Sequence, residues 1–147
     1  MIRVVDVETS WQVTENGGYD PSPFHPDNIL VSVGIDDEYF FTNHSEKIDK
    51  GCFHKIQELL DTTTLLVGHN IKFDLMWLLE SGFKYEGRVY DTMIGEYILN
   101  KGIRKSLTLE MCCRRRKIGS KDNRIKDFTD RGIPFQNIPH QVVEQYG

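Results

Sequence analysis

Three segments with the pattern of β-strands come before any segment with the pattern of a helix. Ile2 to Val7 is a short run rich in β-branched residues, and Ile29 to Ile35 and Glu38 to Thr42 are two more, joined by Asp36-Asp37. Runs of this kind predict strands, and the last two predict a β-hairpin. A chain that opens on three successive strands does not match the doubly wound dinucleotide fold, in which strands and helices alternate from the start.

The rest of the chain alternates helical and strand patterns. Apolar residues at helical spacing predict a helix within Lys50 to Asp61, and the apolar run from about Ile71 to Glu80 predicts another, which Ser81-Gly82 ends. The alternation predicts one α/β domain over residues 1–147, a length that suits a single core. The remaining predictions are strands at Leu65–Val67 and Arg88–Tyr90, helices marked by Met93, Ile94, Tyr97 and Ile98 and by Leu107–Arg116, a loop from Gly119 to Ile138, and a last helix beginning at Pro139.

Charge and cysteine content narrow the function classes. The net charge of -4 and the pI near 5.7 argue against a protein that coats nucleic acid through bulk positive charge. They do not exclude a nuclease, because carboxylates gathered around divalent cations also make a chain acidic. Three cysteines, of which Cys112 and Cys113 are adjacent, do not form a disulfide framework, so free thiols in a reducing compartment are expected. Without a signal peptide pattern or a long apolar run, we expect a soluble protein of the cytoplasm that does not bind membranes.

Asp6 and Glu8 form a carboxylate pair on the first predicted strand. They lie two residues apart, so their side chains project from the same face of the strand. Ionised carboxylates beside a buried strand are costly unless hydrogen bonds or a cation satisfy them, and Mg²⁺ and Mn²⁺ prefer such oxygen ligands. The pair alone leaves a second reading open, in which the strand ends at the surface and both acids are solvated.

A second constellation follows the strand at Leu65–Val67. Asn70 and Asp74 are four residues apart, a spacing that stacks two side chains on one helix face. Asp74 is an acidic residue in an otherwise apolar segment from Phe73 to Leu79, where an unpaired charge would be costly to bury. Asn70 has two open readings, a helix N-cap and a substrate-binding residue. His69 is expected to be a structural hydrogen-bonding residue, because no second histidine lies at zinc spacing.

Together these segments resemble two motifs of the DEDD superfamily of 3'-5' exonucleases. Val4-Val5-Asp6-Val7-Glu8-Thr9 resembles the first motif, and Gly68-His69-Asn70-Ile71-Lys72-Phe73-Asp74 resembles the second. Asp91-Thr92-Met93 is similar to the segment that follows the second motif. Pro23-Phe24-His25-Pro26-Asp27-Asn28 resembles the exonuclease domains that open phage-type family A DNA polymerases. The resemblance covers nearly the whole chain.

The resemblance implies a ribonuclease-H-like mixed sheet flanked by helices, and a proofreading activity that releases nucleoside 5'-monophosphates from a single-stranded DNA 3' end. Two divalent ions, Mg²⁺ or Mn²⁺, are implied, with Asp6, Glu8 and Asp74 as their ligands. These three residues and Tyr146 are the implied catalytic residues, and Thr9 and Asn70 the implied substrate-binding residues. A polymerase domain in the same natural polypeptide is the expected partner, and a bacterial or phage-infected cell is the expected setting.

The end of the chain resembles the start of a third motif. Gln145-Tyr146-Gly147 looks like the opening of the Tyr-x-x-x-Asp helix of the tyrosine subgroup, in which an aspartate follows four residues after the tyrosine. The resemblance therefore implies an exonuclease domain truncated at its C-terminus, before the last ligand. Set apart from the resemblance, Tyr146 reads as a frayed aromatic residue.

Two functional alternatives remain open at this stage. The same carboxylates serve RNA-trimming relatives, and a chain without the last ligand could be a catalytically incomplete nucleic-acid-binding module. Trp11, Phe24 and Phe73 are candidates for stacking on unpaired bases, although each is more often a core residue. The run Arg114-Arg115-Arg116-Lys117 reads either as a phosphate contact or as a solvated helix end.

Overall fold

The computed structural model of the chain describes residues 1–119 and 124–146, and at residues 124 and 146 it describes the backbone alone. The predicted order of strands and helices is confirmed over most of this length. The strands are β1 (Ile2–Thr9), β2 (Gln12–Val13), β3 (Tyr19–Asp20), β4 (Leu30–Ile35), β5 (Glu38–Phe41), β6 (Leu65–Gly68) and β7 (Arg88–Asp91). The helices are α1 (Cys52–Asp61), α2 (Ile71–Glu80), α3 (Thr92–Leu99), α4 (Leu109–Arg116), α5 (Arg124–Asp130) and α6 (His140–Tyr146), with a 3-10 turn at Phe135–Asn137.

Strand β1 is the centre of a five-stranded mixed sheet with the order β5-β4-β1-β6-β7. It pairs antiparallel with β4 on one side and parallel with β6 on the other. The hairpin of β4 and β5 is antiparallel, and β6 and β7 are parallel. The predicted α/β class and the ribonuclease-H-like mixed sheet flanked by helices are therefore confirmed.

Alternation along β1 places apolar and acidic residues on opposite faces. Val5 and Val7 are buried, whereas Asp6 is exposed and Glu8 is half-buried. The valines belong to a core that also takes in residues of α1 and α2. Because side chains alternate along a strand, burying the valines turns both carboxylates to the other face, as the sequence predicts.

The predicted loop from Gly119 to Ile138 is wrong for the part that the structure describes. Residues 124–130 form helix α5, and residues 135–137 form the 3-10 turn. Ile125, Phe135 and Ile138 are buried in a second core with Val31 and Phe41 of the β4–β5 hairpin. A helix of seven residues is too short to be stable alone, so tertiary packing rather than its own pattern forms it.

Three further features bear on the predictions. The turn-rich stretch after β1 contains a two-stranded ribbon, in which Gln12 pairs with Asp20 and Val13 with Tyr19. Cys52, Cys112 and Cys113 are free thiols, as predicted. In the described part of the chain, every helix is too short or too polar to cross a bilayer.

Candidate active site

The candidate site lies where β1 and β6 separate. Their parallel pairing runs from Ile2 opposite Leu65 to Val4 opposite Val67, and beyond Val4 the register of β1 continues with β4 alone. Helix α2 begins in the space that opens there, and Asp74 Oδ1 accepts a hydrogen bond from the backbone N–H of Val7 at 3.2 Å. A crevice at the carboxyl ends of strands is the usual position for a site in an open α/β sheet.

The turn from β6 into α2 is tight, and it corrects the prediction for Asn70. A Cβ on Gly68 would lie 3.0 Å from Ile71 Cβ and 3.3 Å from the carbonyl oxygen of Val5, so β1 and α2 approach closely only because residue 68 is glycine. Asn70 has φ 65, in the left-handed region, and precedes the first helical residue. It is therefore not stacked with Asp74 on one helix face, and its side chain makes no capping hydrogen bond.

Asp74 is buried at the centre of the site, with 3% of its surface exposed. Burial, followed by the negative charge of Asp6, raises the pKa of Asp74 to about 7; Asp91 adds a smaller repulsion, and the hydrogen bond from Val7 opposes the rise. A carboxylate held in this way is destabilised as an anion. A bound cation would relieve both the desolvation and the repulsion, so the chemistry of the pair formed by Asp6 and Asp74 fits a divalent ion.

The structure brings Asp6 and Asp74 within electrostatic reach of each other. Glu8 shares the face of β1 that carries Asp6, and it lies next to an irregularity in pairing between Glu8 and Thr9. Within residues 1–119 and 124–146, no three histidine, cysteine or acidic side chains converge closely enough to form a metal-holding group. The assignment of Asp6, Glu8 and Asp74 as three ligands stays a prediction.

Asp91 organises the site, although sequence reasoning did not assign it a role there. Its Oδ1 accepts hydrogen bonds from the backbone N–H of Asn70 at 3.0 Å and from that of Met93 at 2.8 Å. One oxygen therefore caps α3 and also fixes the left-handed turn that starts α2. An aspartate directly before Thr92-Met93 is a sequence signal for the cap, but nothing in the sequence indicates the bond to Asn70.

His69 is a structural residue, as predicted. Its Nδ1 lies 2.9 Å from Thr92 Oγ1, and its Nε2 lies 2.6 Å from the carbonyl oxygen of Leu107. Thr92 Oγ1 in turn donates to the carbonyl oxygen of Gly68 at 3.1 Å. These bonds join the turn before α2 to the start of α3 and to the segment before α4.

The sequence also suggested a role for Thr9, for Tyr146 and for the basic run from Arg114 to Lys117. Thr9 is half-buried at the end of β1, and its substrate role stays a prediction. Tyr146 lies in α6, but its side chain is outside the described residues. In the run from Arg114 to Lys117, the arginines form ion pairs with acidic residues of α3 and α4. Arg114 pairs with Glu110, and Arg115 and Arg116 both pair with Glu96.

Comparison with known proteins agrees with this geometry. A family described as 3'-5' exonuclease matches residues 14–114, about two thirds of the chain. The chain therefore belongs to the 3'-5' exonuclease family of family A DNA polymerases. The matched span includes Asn70, Asp74 and Asp91, whereas Asp6 and Glu8 lie before it. Comparison with curated proteins gives no match.

Proposed function

We propose that this chain is a metal-dependent 3'-5' exodeoxyribonuclease that removes nucleoside 5'-monophosphates from single-stranded DNA 3' ends during proofreading. Its nuclease class follows from the family. The observation that supports the metal dependence is Asp74, a buried carboxyl whose pKa is raised by burial and by the negative charge of Asp6. A bound divalent cation would stabilise these carboxylates, because its positive charge offsets both the burial of Asp74 and the repulsion between Asp74 and Asp6.

The residues have distinct roles in this proposal. Asp6, Glu8 and Asp74 hold two Mg²⁺ or Mn²⁺ ions, and Glu8 also orients the attacking water. When bound, the ions supply a water of lowered pKa and neutralise charge on the phosphate and the leaving oxygen. Asn70 and Thr9 bind the substrate strand, and Tyr146 hydrogen-bonds the attacking water. Asp91 is a positioning residue, because it holds the turn at Asn70 through a hydrogen bond from the backbone N–H of that residue.

The cellular setting is part of the same proposal. We place the domain in the cytoplasm of a bacterial or phage-infected cell, in one polypeptide with a polymerase domain. A proofreading nuclease acts on ends that the polymerase has misextended, and a covalent link keeps the effective concentration of those ends high.

Digestion of a 5'-labelled single-stranded DNA in Mn²⁺ tests the activity. The variants are made in a chain extended beyond Gly147, with an aspartate four residues after Tyr146, and this chain is expected to shorten the strand one nucleotide at a time from its 3' end. Asp6→Ala and Asp74→Asn should slow the reaction by more than the roughly 10- to 100-fold that loss of an outer-shell metal partner costs. Asp37→Asn is the matched control, since Asp37 is an exposed acid in the β4–β5 turn. Equal rates for Asp74→Asn and Asp37→Asn would refute the assignment.

Mn²⁺ binding is measured by calorimetry on the same variants. It distinguishes a metal site that binds ions without catalysing the reaction from a wrong assignment of the ligands. We expect binding by the unaltered chain and by Asp37→Asn, and loss of binding in Asp6→Ala. A variant extended beyond Gly147, with an aspartate four residues after Tyr146, is expected to bind Mn²⁺ more tightly, because it adds a carboxylate ligand.

One observation favours a second candidate, a binding module without catalysis. The described residues do not gather a metal-holding group of three. A folded protein that binds single-stranded DNA without Mn²⁺ and digests nothing, even in the extended form, would support this reading. Matched DNA and RNA strands test the third reading, since faster shortening of RNA would identify an exoribonuclease.

A further inference from the structure

A pocket lies between the β2–β3 ribbon and the end of α5, and the candidate carboxylates are not among the residues that line it. Its volume is about 550 Å³, within the range of roughly 300 to 1,000 Å³ that small-molecule sites occupy. One wall is aromatic and the other is polar. The ribbon contributes Trp11, Tyr19 and Pro21, and the chain at the end of α5 contributes Thr129, Asp130 and Gly132.

The aromatic wall is a preformed pair of rings. Trp11 and Tyr19 meet edge to face, with ring centroids 4.4 Å apart and an interplanar angle of 73°. The ribbon pairing of Val13 with Tyr19 fixes the strand that carries Tyr19, yet 67% of Tyr19 is exposed. Exposed aromatic faces on a fixed backbone are the surfaces on which proteins stack unpaired nucleobases.

The pocket is attached to both elements that carry the candidate carboxylates. Trp11 follows Glu8 by three residues, so the two are separated by at most about 11 Å of extended chain. On the other side, Trp77 Nε1 donates a hydrogen bond to the carbonyl oxygen of Pro21 at 3.1 Å. Trp77 lies one helical turn after Asp74 in α2 and is 3% exposed. A short single strand that ends at the carboxylates can therefore reach the rings.

We propose that this pocket binds one unpaired nucleobase of the DNA strand, upstream of the terminal nucleotide, by stacking it on Trp11 and Tyr19. The inference rests on the proposed exonuclease function, which it extends from the scissile bond to the strand that follows. Asp130 on the opposite wall supports a base as the occupant, because its carboxylate repels a phosphate group. The site therefore favours unpaired ends, since a base held in a duplex is not available to stack there.

An abasic scan tests the proposal. Single-stranded DNAs with one abasic nucleotide at successive positions from the 3' end are titrated in Ca²⁺, and affinity is followed by anisotropy of a 5' label. For the unaltered chain, one internal position should cost about 5- to 100-fold in affinity, the range that stacking of one base contributes. In the double variant Trp11→Ala/Tyr19→Ala the same abasic position should cost nothing further. Tyr97→Ala is the control, because Tyr97 is an exposed aromatic residue on α3 that does not line the pocket.

Tryptophan fluorescence gives a readout that a structural defect does not mimic. The chain has only two tryptophans, and Trp77 is buried, so quenching by DNA reports Trp11. Trp11→Phe should lose the quenching and keep the affinity and the abasic pattern, since phenylalanine also stacks. Circular dichroism on each variant checks that it is folded.

The outcomes separate this inference from the proposed function. Equal abasic costs in the unaltered chain and the folded double variant would overturn the pocket, even with normal digestion. An abasic pattern that depends on Trp11 and Tyr19, in a chain that never digests DNA, would support the pocket and count against the exonuclease. Quenching that persists in Trp11→Phe would show that Trp11 does not contact the base, and it would refute the role proposed for Trp11.

Discussion

Helices α2 and α3 each follow a parallel strand at the same end of the sheet, and both are rich in apolar residues, yet they differ in burial. Helix α2 buries four residues, whereas α3 buries none. Helix α2 packs across β1, the central strand, while α3 follows β7 at the edge of the sheet. Apolar composition therefore does not decide burial here; the position of the preceding strand does. Only α2 is covered deeply enough to bury a carboxyl group together with its apolar neighbours.

The largest effect should come from the carboxyl group on α2. The pKa of Asp74 is raised from 3.8 to about 7, so the folded state holds its proton more tightly than the unfolded chain does. In EDTA, the free energy of unfolding should fall as the pH rises from about 4 to about 7, and stay level above that. Asp74→Asn should remove the loss and stabilise the protein by about 4 kcal/mol at pH 8, with no gain at pH 4.

Urea unfolding of Asp74→Asn and the unaltered chain at pH 4, 6 and 8 measures this effect. Asp37→Asn serves as the control, because Asp37 is exposed. A gain of the same size at pH 4 and pH 8 would show that ionisation of Asp74 is not the cause.

Leu78→Ala tests how tightly α2 packs on the sheet, which is the basis of the comparison with α3. Leu78 lies on α2 with no exposed surface, so the substitution leaves a cavity and should destabilise the protein by about 3 kcal/mol. The shift in the urea midpoint gives the value, provided the slope is unchanged. A loss below about 1 kcal/mol would mean that α2 is not packed on the sheet as described.

Asp91→Ala probes the link between the two helices. Removal of one capping oxygen costs roughly 1 kcal/mol, and the turn at Asn70 loses its bond as well. Amide hydrogen exchange should speed up at both Asn70 and Met93, whereas Asp91→Asn, which keeps an accepting oxygen, should protect both. Faster exchange at Met93 alone would show that Asp91 caps α3 without holding the turn.

The smallest effect is expected on α3. Ile98 is 66% exposed, so Ile98→Ala should change the free energy of unfolding by less than about 0.5 kcal/mol in this chain. Ile94→Ala, also at an exposed position, is the matched variant. A loss like that of Leu78→Ala would show that α3 is covered in solution, and it would break the contrast between the two helices.

The sequence predicts the parts of the fold that carry a strong period. The hairpin of β4 and β5 follows from two strand-like runs joined by Asp36-Asp37, and α2 is predicted at its observed bounds. Helix α5 could not be predicted in the same way. Its buried Ile125 packs with Val31 and Phe41, which are distant in the sequence, so long-range contacts rather than local pattern stabilise it.

Burial of Asp74 was predictable for a physical reason, since a lone acid in an apolar helix is conspicuous. The backbone conformation of Asn70 was not predictable. A spacing of four residues predicts a shared helix face and does not indicate the left-handed turn before the helix. The hydrogen bond that Asp91 accepts from Asn70 was not predictable either. It joins residues 21 apart through a backbone N–H, a group that every residue except proline carries.

The bond between Val7 and Asp74 also determines when the site can form. It joins residues 67 apart, and β1 pairs only with strands that are made later in the chain. Contacts of such long sequence separation form slowly, because the entropy of closing the loop is lost before the contact is gained. During synthesis, the acidic residues of β1 therefore remain exposed to water until α2 has been made. An N-terminal piece of the chain that ends before α2 therefore cannot contain the site.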